Sequence, residues 1–306
     1  MSTPRTTHTD GNGGGPARAG ESTGGGAPRG EVGALGGRRR TPWPLAVVAV
    51  LFVVVPFLTW YWTWFGRTLS DAELERYLSE GNPRPAQHAL SQVAEKIEKG
   101  DAGAARWFAR VASLASNPSP DVRMTAAWVM GLDHRSEEFR ASLARLLEDP
   151  EPIVRRNAAL ALVRFGDPRS RAELLAMLRP YGVRAAADGT ALTSLTAGSR
   201  VKRESLLLKY RDASGRVGEV RSPLPGTVEK APLKDGEGFK AGDELFVLAP
   251  DGEQARDALV GLYYLGGEEE LAEVERYERG VEGMPDDVKT KAAQTAEAIR
   301  RRAGGR

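Results

Sequence analysis

The chain has 306 residues, which is long enough for two compact domains with accessory segments. Its 43 lysine and arginine residues nearly balance its 41 aspartate and glutamate residues, so no basic excess favours a nucleic-acid-binding protein. The chain has no cysteine and only three histidines, which excludes disulfides and thiolate metal sites and leaves few residues for zinc or serine–histidine–aspartate chemistry.

The N-terminal part predicts a tail followed by a membrane anchor. Residues 1–41 are rich in Gly, Pro, Thr, Ser and Arg, so they predict a disordered tail that cannot offset the entropy of ordering. Residues 42–66 predict a transmembrane helix, because the uncharged run LAVVAVLFVVVPFLTWYWTWF over 45–65 would extend roughly 30 Å, the thickness of a bilayer core. Four aromatic residues at its far end are predicted at the membrane interface: Trp60, Tyr61, Trp62 and Trp64.

A buried core helix and a cleaved signal peptide are the alternatives for this apolar run. A signal peptide normally ends in small residues, whereas this run ends in bulky aromatic ones. An arginine triplet at 38–40 precedes the run, and Asp71 and Glu73 follow it, so the positive-inside rule places the N-terminus in the cytoplasm. We therefore expect a single-pass protein of the inner (cytoplasmic) membrane that contacts the lipid bilayer through 45–65, with a periplasmic or otherwise extracytoplasmic body.

A repeated turn motif follows the apolar run. It reads NPRP at 82–85, NPSP at 117–120 and DPEP at 149–152. Asn or Asp followed by Pro fits the start of a helix, because the side chain can cap free amides and the fixed φ of proline suits the first turn. The last two copies lie 32 residues apart and continue alike, as DVRMTAAWVM and IVRRNAALAL. Such self-similarity indicates an array of helical repeats.

The repeat resembles the HEAT-like family, whose units are antiparallel helix pairs stacked into a solenoid. The resemblance covers 68–180 and rests on residues shared by the last two copies: Pro120 and Pro152, the Val-Arg pairs at 122–123 and 154–155, and the Ala-Ala pairs at 126–127 and 158–159. The segments EQARDALVGLYYLG at 253–266 and PDDVKTKAAQTAEAI at 285–299 resume the pattern, so 252–303 predicts C-terminal HEAT-like helices. Two unrelated helical segments are the alternative.

Residues 181–250 predict a small β domain with an internal duplication. VRAAADGT at 183–190 reappears as VRSPLPGT at 220–227. Glycine turns between alternating apolar residues are typical of half-buried strands. The segment SPLPGTVEKAPLKDGEGFKAGDELFVL at 222–248 resembles the biotinyl/lipoyl-like barrel-sandwich hybrid. Carriers of that family bear a modified lysine at the hairpin between the halves, but the hairpin RDASGRVGE at 211–219 has no lysine, so the carrier function is not transferred.

The predicted fold class is therefore multidomain α plus β: a single transmembrane helix, a HEAT-like α-solenoid and a small all-β barrel-sandwich hybrid insert. Trp107, Phe108 and Trp128 fall on apolar helix faces and predict core positions. No motif predicts a catalytic residue, a cofactor or a metal site, because the histidines lack suitable partners nearby.

The function expected from this organisation is a membrane-anchored protein–protein interaction scaffold, or an accessory subunit of a membrane complex, without catalysis. Its expected partner is an unidentified membrane or periplasmic protein, with no nucleic acid and no small-molecule substrate. A divergent membrane-fusion (efflux) adaptor is the alternative, and an enzyme ranks third. Two adjacent helical residues cannot both face one core stripe, so one of Tyr263 and Tyr264 is expected to be exposed and available to a partner. The hairpin at 211–219 is a second candidate contact. The candidate partner-binding residues are Asp212, Ser214, Arg216, Tyr263 and Tyr264.

Overall fold

The computed structural model describes residues 43–65 and 68–304. The chain divides into two compact units, Met1–Gly66 and Arg67–Arg306. In the first unit, helix α1 runs over Trp43–Phe65 and contains Pro56. The tail predicted over 1–41 and the side chains of the four aromatic residues predicted at a membrane interface, Trp60, Tyr61, Trp62 and Trp64, lie outside the described residues.

The predicted membrane anchor is corrected by the structure. Among the described residues, no helix has both the length and the apolar character that a bilayer crossing requires. The transmembrane part of the predicted fold class is therefore wrong for the described chain. The inner-membrane localisation that depended on it is wrong as well, and the predicted contact with the lipid bilayer is unsupported.

The second unit contains ten further α-helices within the described residues. Short 3₁₀ turns at Ala102–Trp107, Leu114–Ser116 and Pro168–Ser170 connect some of them. In chain order the helices are α2 Asp71–Glu80, α3 Pro83–Glu98, α4 Phe108–Ser113, α5 Pro120–Met130, α6 Glu137–Leu146, α7 Pro152–Arg164, α8 Arg171–Met177, α9 Gly252–Leu265, α10 Glu268–Arg279 and α11 Asp286–Gly304.

The repeated turns begin the helices of one layer. Proline occupies the first turn of α3, α5 and α7, as the motif predicts. These helices stack in series, with α3 against α5, α5 against α7, α7 against α9 and α9 against α11. The intervening helices form a second layer, in which α2 contacts α4, α4 contacts α6, and α8 contacts α10.

The helices before and after the β segment share one core. Leu174 and Met177 of α8 pack with Leu259 of α9, Tyr277 of α10 and Ile299 of α11, and all five are buried. The Tyr277 hydroxyl donates to the carbonyl oxygen of Leu178 at 2.8 Å. Because α8 and α9 pack directly together, the β segment occupies the connection between two neighbouring helices of the array.

The β segment contains eight strands: β1 Tyr181–Arg184, β2 Gly189–Ser194, β3 Arg200–Val201, β4 Leu206–Arg211, β5 Val217–Arg221, β6 Gly226–Lys230, β7 Gly238–Phe239 and β8 Glu244–Ala249. They form two four-stranded sheets in the orders β1-β8-β6-β3 and β5-β4-β2-β7. If β1 to β4 are exchanged with β5 to β8, one strand order becomes the other. The duplication in the sequence therefore corresponds to two sheets with equivalent strand orders.

The predicted barrel is also corrected. Within the described residues, no strand pairing joins the two sheets, and no closed barrel forms. The edge strands β3 and β7 are only two residues long, which is too short to continue hydrogen bonding around a barrel. Both sheets contribute side chains to one core, including Val183, Leu208, Phe239 and Phe246. The arrangement is a two-sheet sandwich, called the sandwich below.

Candidate interaction surface

The sandwich is attached to the helical array through the starts of two helices. Arg203, in the connection between β3 and β4, contacts Asp121 in the first turn of α5 with an N–O distance of 2.6 Å. Gln254 in α9 donates from Nε2 to the carbonyl oxygen of Pro225, just before β6, at 2.6 Å. Its Oε1 accepts a hydrogen bond from Nη1 of Arg156 in α7. This relay, Arg156–Gln254–Pro225, connects α7, α9 and the sandwich.

Arg156 carries a positive charge in a buried position. Only 4% of the residue is exposed, and burial lowers the pKa of its guanidinium to about 10, so it stays charged at neutral pH. The nearest carboxylate is that of Glu173, 3.9 Å away, and burial raises the pKa of Glu173. Nε of Arg156 has no hydrogen-bond partner among the described residues. Met124 occupies the matching position of the preceding repeat, so α7 has an arginine where α5 has an apolar residue.

The predicted hairpin residues lie together at the β4–β5 turn and satisfy one another. Oδ1 of Asp212 accepts hydrogen bonds from the backbone N–H of Ser214 at 2.8 Å and of Arg216 at 3.0 Å. Oδ2 of Asp212 accepts from Nε of Arg216 at 3.0 Å. The Ser214 hydroxyl and these other donors lower the pKa of Asp212 to about 2. The tip is therefore an exposed, locally stabilised loop.

The predicted tyrosines lie in the last turn of α9. Tyr264 is 63% exposed, whereas Tyr263 is half-buried. Their ring centroids lie 5.1 Å apart, with the planes nearly perpendicular at 87°, an arrangement that aromatic pairs favour. Among the described residues, no hydrogen bond, ion pair or ring contact joins the tyrosines to the hairpin tip. The structure thus places the predicted contact residues in two separate regions.

The core predictions for the aromatic residues have mixed outcomes. Trp107 is only 4% exposed, which confirms its core position, and Phe108 is half-buried against Phe139 with ring centroids 4.4 Å apart. Trp128 is 47% exposed, so its predicted core position is wrong. It lies on the side of α5 opposite the buried Val122, Ala126 and Met130.

Trp128 belongs to a row of apolar side chains on α5, α7 and α9, which stack in series. The 32-residue repeat puts Leu160 of α7 at the equivalent position, and matching the ends of the two segments puts Val260 of α9 there. Val260 is 37% exposed, and Leu160 is partly buried. Tyr264 follows one helical turn after Val260. We call Trp128, Leu160, Val260 and Tyr264 the apolar row. The sequence signal for the row was the alignment of the repeats rather than the periodicity of one helix.

Cationic side chains border the apolar row. A surface recess of about 420 Å³ is lined by Val260, both tyrosines, Lys291, Gln294, Glu297 and Arg301. Nζ of Lys291 donates to Gln294 at 2.9 Å, and Arg301 lies 3.9 Å from Glu297 in an exposed pair. Arg164, which ends α7, donates to the carbonyl oxygen of Gly131 at 3.3 Å. The surface therefore combines exposed apolar side chains with positive charge.

Two comparisons with known proteins agree with this architecture. The family described as HEAT repeats matches residues 108–192. A TPR repeat-containing protein of Pseudomonas aeruginosa is 33% identical over 144 residues, which cover 45% of this chain and 57% of the relative. This chain is a helical-repeat protein. It spans little more than half the length of that curated relative.

A comparison with solved structures found a long-chain acyl-CoA carboxylase described as single-chain and multi-domain. The likeness covers 33% of this chain and 10% of the other, with 17% identity and a TM-score of 0.23. At that TM-score the likeness carries no argument about fold or activity. None of these comparisons supports the membrane-fusion adaptor expected as the alternative.

Proposed function

We infer that this protein is a scaffold that binds a protein partner across its helical repeats, and that the apolar row is the contact. One observation carries the proposal: Trp128 and Tyr264 are exposed at 47% and 63% on helices of the same layer. Isolated exposed apolar residues are normal in proteins, but a group of them on one face is typical of an interaction site. Tryptophan and tyrosine are also the residues most enriched at the centres of protein interfaces.

The repeat architecture supports this function. Stacked repeats create extended surfaces on which equivalent positions of successive units line up. In this chain those positions carry Trp128, Leu160 and Val260 on α5, α7 and α9. The hairpin with Asp212, Ser214 and Arg216 is proposed as a second, separate contact, since its tip at 213–217 is exposed. No catalytic step is part of the proposal.

The test is affinity purification of the full chain from its source cells, read by quantitative mass spectrometry. We expect a partner that is retained by the unmodified chain and lost from the double variant Trp128→Ala/Tyr264→Ala. Phe52→Ala is the matched control, because Phe52 is an aromatic residue that is 82% exposed but lies on α1, outside both proposed contacts. A partner that stays bound to the double variant would remove the apolar row from the proposal.

A further inference from the structure

We propose that the apolar row binds an acidic amphipathic helix of a partner protein. This inference rests on the proposed function and adds the chemistry and conformation of the bound segment. It follows from the charges that border the row, from the distance that the row spans and from the kind of backbone that the surface presents.

The cations beside the row are weakly neutralised. Arg164 has no salt bridge among the described residues, and Lys291 contacts the neutral amide of Gln294. Arg301 and Glu297 are 67% and 68% exposed and 3.9 Å apart, a type of pair that contributes little in water. Elsewhere in the same layer arginines are closely paired, as for Arg256 with Asp287 at 2.6 Å. At the Tyr264 end of the row, Arg164, Lys291 and Arg301 outnumber Glu297, so this end offers a net positive charge that an acidic partner can neutralise.

The length of the row sets the length of its ligand. Neighbouring packed helices lie about 8–10 Å apart, so the path from Trp128 on α5 to Val260 on α9 crosses two such steps, roughly 16–20 Å. A helix of about twelve residues covers that distance at 1.5 Å per residue. Such a segment can place apolar side chains at i, i+3, i+4 and i+7 on one face, with carboxylates on the flank toward Arg164 and Arg301.

The surface favours a helix over an extended strand. An added strand needs an edge with free backbone N–H and C=O groups. The row lies on the sides of α5, α7 and α9, where those groups are engaged within the helices. Recognition must therefore come from side chains, which is how an amphipathic helix binds in an apolar groove.

Selection from a phage-displayed library of random 16-residue peptides on the full chain tests the inference. We expect enriched peptides to carry net negative charge and apolar residues at helical spacing. A synthetic copy of the most enriched peptide is then titrated by fluorescence anisotropy. Lys291→Glu/Arg301→Glu should weaken its binding about tenfold or more, the scale of losing two favourable charge contacts and gaining two repulsive ones. The control Lys289→Glu/Lys234→Glu makes an equal change in net charge at exposed positions away from the row and should change the affinity less than twofold.

The possible outcomes test the acidic chemistry and the apolar row separately. Neutral or basic enriched peptides, an absence of enrichment, or binding that is indifferent to Lys291→Glu/Arg301→Glu would overturn the acidic-helix inference. Loss of binding in Trp128→Ala/Tyr264→Ala with no effect of charge reversal would leave the apolar row in place and remove only the acidic chemistry. Peptide binding unaffected by Trp128→Ala/Tyr264→Ala would count against the row itself, which the purification of the native partner tests separately.

Discussion

The arginines that follow the repeated turn form hydrogen bonds with the backbone of that turn. In each of the last two copies, Nη1 of the arginine in the Val-Arg pair donates to two carbonyl oxygens. They belong to the first two residues of the turn motif that precedes the arginine. The acceptors are Asn117 and Pro118 for Arg123, at 2.9 and 3.1 Å, and Asp149 and Pro150 for Arg155, at 2.7 and 3.1 Å. The repeat signature thus specifies a hydrogen-bonded turn as well as a buried valine.

Asp149 extends this contact from one repeat to the next. Its carboxylate accepts from Nε and Nη2 of Arg123 at 2.6 and 2.8 Å, and both side chains are largely buried. Asp149→Asn keeps the shape but leaves the guanidinium without its counter-charge, so we expect a loss of about 3 kcal/mol in the free energy of unfolding. Urea denaturation measures it. Glu95→Gln, in the exposed pair with Lys99, is the control and should change the free energy of unfolding far less, because solvent screens that pair. Equal effects of the two variants would contradict the prediction.

A second buried carboxylate makes stability depend on pH. Asp167 is buried and accepts hydrogen bonds from Arg169 and Arg140, which hold its pKa well below the usual value of about 3.9. Because the folded pKa is depressed, the contribution to stability is complete above about pH 4 and is lost as the pH falls through the folded pKa. Asp167→Asn should therefore cost about 2 kcal/mol at pH 7, and the difference from the unmodified chain should shrink as the pH falls below 4. A difference that does not change with pH would contradict this assignment.

At the scale of elements, a glycine allows two strands of the sandwich to approach. Gly226, at the start of β6, has a φ of +156°, and a Cβ built there would lie 2.4 Å from the carbonyl oxygen of Ala249. Gly226→Ala should destabilise the sandwich by about 3 kcal/mol, because the backbone must shift to remove the clash. Hydrogen exchange of the β6 and β8 amides measures the effect. Gly238→Ala is the control, since the nearest atom to its Cβ is 3.8 Å away. Normal protection of these amides in Gly226→Ala would sink the prediction.

At the scale of the whole second unit, the sandwich is removable in principle. The chain leaves and re-enters the array at adjacent points, since Tyr181 pairs with Leu248 across β1 and β8. The core cluster that includes α8 and α9 contains no residue of the strands. Replacing 181–249 with a short Gly-Ser linker should leave a helical protein that unfolds cooperatively, as seen by circular dichroism. Non-cooperative melting would show instead that the array needs the sandwich.

The relay through Arg156 should fix the orientation of the sandwich on the array. Arg156→Met restores the residue type of Met124 at the matching repeat position and removes the hydrogen bond to Gln254. Because the chain has no cysteine, spin labels at Ala213→Cys and Ser91→Cys report the distance between the hairpin tip and α3. We expect a broader distance distribution in Arg156→Met than in the control Arg145→Met. Equal distributions would assign the relay to stability alone.

How much of the candidate surface was predictable differs from residue to residue. Local geometry predicted that one of Tyr263 and Tyr264 would be exposed, because one of two adjacent helical residues must leave the core stripe, and the structure shows that it is Tyr264. Trp128 lies in the uninterrupted apolar run AAWVM at 126–130, where apolar residues occupy every direction around the helix. Periodicity cannot choose a buried face in such a run. Periodicity could not predict the hydrogen bond from Arg156 to Gln254 either, since the two residues lie 98 positions apart in the chain.

The sequence by itself determined where the helices of the repeat begin, the spacing of the units and the duplication within the sandwich. Those features depend on proline φ angles, capping side chains and glycine turns, which act over a few residues. Only the tertiary structure decided that the strands remain in two sheets, that Trp128 faces outward and that Arg156 is buried. Each of these depends on which distant element covers a given surface, and burial by a distant element leaves no local signal in the chain.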